Sequence, residues 1–154
     1  VAILAQAVFR THSPALAMSF LSLTVLGMAL SGVEQIGILA MREFSEAYSA
    51  GDGAQRELME SLRVAGSGLR NGAHYVSLLA SGVTLGVWYY CLLRFSLLPR
   101  PIAYLGLVAV CLQLFAISQP ILGGVVSFAL LAPLALAQLL QGGWLLVFGF
   151  PGED

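Results

Sequence analysis

Glu34 is the one carboxylate set well inside an apolar stretch, on a helical face shared with Thr24, Gly27 and Ser31. Forty residues on, Arg70, His74, Ser77, Ser81, Thr84, Trp88 and Cys91 recur at spacings of three and four, which makes one continuous helical stripe. Counted along a helix, Glu34 lies roughly 10 Å from the polar end of its stretch and His74 roughly 5 Å from the polar end of the next. A hydrogen bond between them is geometrically open. A carboxylate beside an imidazole can pass a proton, and with Ser77, Ser81 and Thr84 it can line a ligand cleft. Two plainer readings stand beside that one: the stripe is a helix-packing seam, and Glu34 reaches up to lipid headgroups. Gly82 and Gly86, one turn apart, are small enough to admit a neighbouring helix, and Gly27 and Ser31 offer the same on their own helix.

Other chemistry is excluded by type or by depth. His12 precedes one apolar run and His74 opens the next from the opposite side, so the two cannot be axial ligands of one haem. Cys91 lies near the end of its helix and Cys111 about 14 Å into the following one, too far apart for a disulfide. The sequence has no glycine-rich phosphate loop, no metal-spaced His/Glu pair, no nucleophile elbow at Ser67 and no calcium-loop spacing around Asp52. Neither a cofactor nor a metal is expected, and an enzyme is the less expected class.

The elements that must position these residues follow from composition. Of 154 residues, 58% are hydrophobic and 10% charged, against about 25% charged in an ordinary soluble domain. The solvent is lipid. The 7 basic residues, all Arg, face 8 acids for a net charge of −1, which leaves no basic surface for nucleic acid. A bilayer core of about 30 Å needs roughly 20 apolar helical residues. Four runs qualify, at about 14–41, 71–93, 102–119 and 121–149, and residues 1–9 read as the tail of a helix whose start is missing. The sequence predicts an all-α polytopic bundle forming one membrane domain, because no segment alternates as barrel strands do. Ser13-Pro14 opens the first full span, Trp88-Tyr89-Tyr90 and Arg94 mark an interface, and Pro133 should kink the last span before a stop at Phe150-Pro151-Gly152. Residues 42–70 read as a polar loop holding a short interfacial helix, with Leu58, Met59, Leu62 and Ala65 on one face and Gln55, Arg56, Glu60 and Arg63 on the other. Arg10, Arg94 and Arg100 fall on one side, in short loops; Arg42, Arg56, Arg63 and Arg70 fall on the other. The denser short loops point to the first side, with the C-terminus, as cytoplasmic.

The stretch from Leu69-Arg70-Asn71 through Trp88-Tyr89-Tyr90 to Leu97-Leu98-Pro99-Arg100 and Leu105-Gly106 resembles a bacterial integral-membrane family known as domain of unknown function 4386. Pro133-Leu134-Ala135-Leu136-Ala137-Gln138, with Gly143-Trp144-Leu145-Leu146-Val147 and Gly149-Phe150, is similar to that family's last helix. The resemblance implies about two further helices upstream, six spans in all, the bacterial inner membrane, and no activity to carry over. The chain departs from the family pattern at Leu23 and Leu26, where an Arg and a Glu are common, and at Gln138, where a Glu is common. With those charges replaced, the expected role is a non-catalytic accessory or structural subunit that packs against a larger membrane complex or its own copies. The alternative is a small-molecule, lipid or proton-handling protein using Glu34 and His74.

Overall fold

The computed structural model describes residues 2–149, apart from the side chains of Ala2 and Leu4; the expected stop at Phe150-Pro151-Gly152 lies outside them. Five α-helices follow one another: α1 (Ala2–His12), α2 (Pro14–Ala50), α3 (Gly53–Arg94), α4 (Arg100–Ile121) and α5 (Ala132–Phe148). No strand occurs among the described residues. Four stretches, Pro14–Ala50, Gly53–Arg94, Arg100–Ile121 and Phe128–Phe148, are long and apolar enough to cross a membrane.

Each helix end has a local cause. Pro14 holds Ser13 in an extended conformation, which stops α1, and the Ser13 hydroxyl accepts from the Leu16 amide at 3.4 Å to start α2. α3 closes with the Leu97 amide bonded to the Leu92 carbonyl and the Ser96 amide bonded to the Leu93 carbonyl. This is a Schellman motif, and it places Ser96 in the left-handed region at φ 55°. α4 ends the same way, with Gly124 bonded to Gln119, Gly123 to Pro120, and Gly123 at φ 85°.

Residues 122–127 are not helical, so the expected span from residue 121 begins instead at Phe128, with a 3-10 turn (Phe128–Leu131) leading into α5. The cause is the Gly123-Gly124 stop behind Pro120. The regular α ladder does not run through Pro133. That residue occupies the first turn of α5, where its missing N–H costs nothing.

The largest departure from the sequence reading is at residues 42–70. In place of a loop with a short interfacial helix, α2 runs on to Ala50 and α3 starts at Gly53, so the two form a hairpin of helices roughly 55 and 63 Å long. Leaving hydrocarbon is no reason for a helix to end. The chain turns at Gly51-Asp52-Gly53, where Gly53 takes φ 22°, whereas Gly66-Ser67-Gly68 stays helical within α3. The pairing also persists: Phe20 meets Trp88, Ser31 meets Ser77, Glu34 meets His74, and Phe44 covers Gly66. From Phe20 to Glu34 each step along α2 is matched by an equal step backward along α3.

The core sits at the short-loop end. Phe9 of α1 packs on Phe20, Trp88 and Phe95 with ring centroids 5.3–5.9 Å apart. Below it, the buried Tyr89 ring fills the space that a side chain at Gly106 would take, and Leu114 approaches Gly82 so closely that a Cβ there would lie 2.6 Å from it. Those two glycines set the α3–α4 spacing.

Candidate functional site

The α2–α3 seam carries the titratable cluster. Glu34 projects between the helices, its side chain 14% exposed, with Oε1 2.9 Å from His74 Nδ1 and 3.7 Å from Arg70 Nη2. Arg70 Nη1 donates to Asn71 Oδ1 at 3.1 Å, and Arg70 Nε is buried without a partner. Gly37 makes room for this arginine, since a Cβ there would lie 3.2 Å from Arg70 Cβ. One turn further in, the Ser31 and Ser77 hydroxyls share a hydrogen bond of 3.0 Å.

Depth follows from helix rise. Pro14 and Arg94 lie at the same end of the hairpin, and about twenty residues of helix from either one reach Glu34 and His74, a distance of roughly 30 Å. That equals the thickness of the hydrocarbon core. With the apolar windows placed in hydrocarbon, Glu34, His74 and Arg70 stand at its boundary on the hairpin side, while Ser31 and Ser77 stand inside it. A carboxylate in that position needs a donor, and it has an imidazole and a guanidinium.

The remaining candidates separate. Ser77 is buried between the helices; Thr84 is half-buried and donates to its own helix at the Ala80 carbonyl, 2.9 Å away, as Thr24 does to Phe20 at 2.8 Å. Ser81 departs from the expected interior position, because α2 and α5 stand apart opposite it and leave it exposed in an open cleft. Val83 is exposed; Leu79 and Val87 are half-buried. Gly82 and Gly86 face Leu114 and Val110 of α4, whereas Gly27 has open space beyond it.

Two openings of about 400 Å³ each run along the seam. They share Thr24, Ser81 and Thr84, so they are one cleft. One end is floored by Ser31 and Ser77; the other is lined by Phe20, Trp88, Gln138 and Gln141. Trp88 Nε1 donates to Gln141 Oε1 at 3.1 Å, tying α3 to α5. The two glutamines escape the sequence reading as site residues, although their spacing of three on an otherwise apolar helix marks a shared face. Arg70 was legible as part of the stripe but not as a second partner of Glu34. Among the described residues no group of three metal-ligating side chains occurs. Cys91 is buried and Cys111 exposed, both as free thiols.

The profile of a family described as domain of unknown function (DUF4386) matches residues 1–149. No curated protein and no solved structure matches the chain.

Proposed function

For a chain that belongs to the DUF4386 family, whose description assigns no activity, we propose a non-catalytic membrane subunit that packs against a larger membrane complex or its own copies. One observation carries this reading. On the part of α3 beyond the hydrocarbon, Leu58, Leu62 and Leu69 are exposed on one face, with Ala65 between them, at the four-three-four spacing of a coiled-coil seam. α2 covers a different face of α3, through Gly66 and Arg70. An apolar stripe in water is a surface awaiting a partner helix. The short-loop side, with Arg10, Arg94 and Arg100, is assigned to the cytoplasm of a bacterial inner membrane.

Purification in mild detergent with cross-linking tests it. A stoichiometric partner, or a defined homo-oligomer, is expected, and it should be lost when Leu58, Leu62 and Leu69 are all replaced by Ser. A monomer with no partner in the membrane overturns the reading.

A second reading is favoured by the 2.9 Å contact between His74 and Glu34: a small-molecule, lipid or proton-handling role centred on that pair. Recovery of a bound lipid or metabolite in place of a protein would support it.

A further inference from the structure

The arginines of this chain divide by partner. On the hairpin side Arg42 pairs with Glu46, Arg63 with Glu60 and Arg70 with Glu34, and Arg56 donates to the Gly51 carbonyl. Arg10, Arg94 and Arg100, at the short-loop end, make no ion pair or side-chain hydrogen bond among the described residues. The cause is where the acids stand. Glu34, Glu43, Glu46, Asp52, Glu57 and Glu60 are all on the hairpin side, and Glu153 and Asp154 lie outside the described residues.

Two of these three arginines share one recess. Arg94 ends α3 and Arg100 starts α4, and an opening of about 540 Å³ between the helix ends is lined by both, with Tyr90, Tyr104 and Ser96. Arg94 and Ser96 also border an adjoining polar recess lined by His12 and Ser13, which leaves room for a bound headgroup to extend. In each helix the tyrosine stands four residues, roughly 6 Å, inward of the arginine. Charge therefore sits at the hydrocarbon boundary with a phenol just inside it, the level of lipid headgroups and glycerol backbones. Below the recess, Val108, Cys111 and Phe115 continue from Tyr104 at spacings of four, three and four as an exposed face of α4. From Tyr104 to Phe115 is roughly 16 Å, about half of a 30 Å core and so the reach of one acyl chain.

The geometry points to a binding site for an anionic phospholipid: its phosphate between Arg94 and Arg100, its glycerol beside the Tyr90 and Tyr104 hydroxyls, and one acyl chain along Val108, Cys111 and Phe115. A guanidinium meets a phosphate through paired N–H donors, and basic pockets between helices at a membrane surface take anionic headgroups. A headgroup with its own ammonium would bring a cation to a recess that already supplies two, with no described carboxylate to receive it. A phosphate with an uncharged headgroup, as in phosphatidylglycerol, leaves the attraction alone. Free phosphate would satisfy the arginines but leave the exposed face of α4 unused, so the lipid is the occupant. The site stands apart from the α2–α3 seam and holds for either function above.

The test reads which lipid stays with the intact chain. The protein is reconstituted in vesicles of equal phosphatidylglycerol and phosphatidylcholine, extracted in mild detergent, and its retained lipid is measured. Phosphatidylglycerol should be enriched about tenfold or more, the scale of two arginines at a membrane surface. Arg94→Gln and Arg100→Gln should each lower the enrichment and together abolish it. Arg10→Gln should leave it unchanged, because it removes a charge at the same membrane level but from a separate recess formed with Gln6, Pro14 and Met18. On the unaltered chain, phosphatidylglycerol with a diazirine in one acyl chain should cross-link to Val108, Cys111 or Phe115 in preference to Val25, Leu26 and Met28, exposed on α2 at comparable depth. No folding defect can imitate that readout. Equal retention of the two lipids overturns the site, as does a loss with Arg10→Gln as large as with Arg94→Gln, which would mark diffuse surface charge. Displacement of phosphatidylglycerol by excess inorganic phosphate, or cross-links spread evenly over α2 and α4, overturns the lipid as occupant.

Discussion

The Ser31 and Ser77 hydroxyls, 3.0 Å apart, join α2 to α3 one turn inward of the Glu34–His74 hydrogen bond. They place a pair of hydroxyls inside the hydrocarbon and the Glu34 carboxylate, with His74 and Arg70, at its boundary. The order suits the cost of each group at its depth.

Glu34→Gln keeps a side chain of the same shape that can still bond His74, so thermal stability should stay within about 1 kcal/mol of the parent. Glu34→Leu leaves His74 and Arg70 without their acceptor and should destabilise by about 1–3 kcal/mol. Detergent-solubilised melting curves of the two variants separate a loss of pairing from a loss of charge. If both behave like the parent, Glu34 is pointing to the headgroups.

Gly106→Ala drives a methyl into the Tyr89 ring. Overpacking of this kind should cost about 1–3 kcal/mol, recovered in part when Tyr89 is also replaced by Leu. Gly27→Ala meets open space in mid-helix and should be neutral, or stabilising by up to about 1 kcal/mol. The pair of melting shifts checks whether close approach is confined to the α3–α4 side.

Ser96 holds a left-handed conformation that Gly123 holds at the end of α4 without steric cost. Gly123→Val should therefore destabilise by about 1–2 kcal/mol or more, and Ser96→Val likewise, whereas Ser96→Gly should be neutral or slightly stabilising. Unfolding midpoints for the three variants decide it.

Arg63 donates to Glu60 at 2.8 and 2.5 Å on the exposed hairpin, and that hydrogen bond holds the Glu60 carboxyl below its ordinary range. A lowered carboxyl stabilises the fold above its unfolded value, and the gain disappears as acid titrates the folded group. The pair is fully solvated, so Glu60→Gln should leave the melting temperature unchanged at neutral pH and physiological salt. A measurable drop would show that a partner covers this part of the hairpin.

Much of the architecture was legible in the sequence because a bilayer imposes length and apolarity on each crossing, and those are properties of single segments. Pro14 and Pro99-Arg100-Pro101 mark helix starts for the same local reason, a fixed φ and a missing donor, whereas Pro133, read from the sequence as a kink within a span, stands in the first turn of α5. The stripe from Arg70 to Cys91 was visible through its spacing, and Glu34 through its isolation; equal counting along two antiparallel helices was enough to bring Glu34 and His74 together. What segments do to one another was not legible. Hydropathy reports where a helix leaves lipid and not where it ends, so residues 42–70 read as a loop although the α2–α3 seam carries both helices on to Ala50 and back from Gly53. Ser81 shares its stripe with Ser77, yet one is exposed and the other buried, because α2 closes over Ser77 while α5 stands away opposite Ser81. Gly106 looks like any helical glycine until Tyr89 of the neighbouring helix occupies the place of its side chain. The sequence alone determined the solvent, the helices and which face of each is polar; tertiary packing decided which polar face was closed by a neighbour and which was left open as a cleft, since that depends on distances between helices that no single helix encodes.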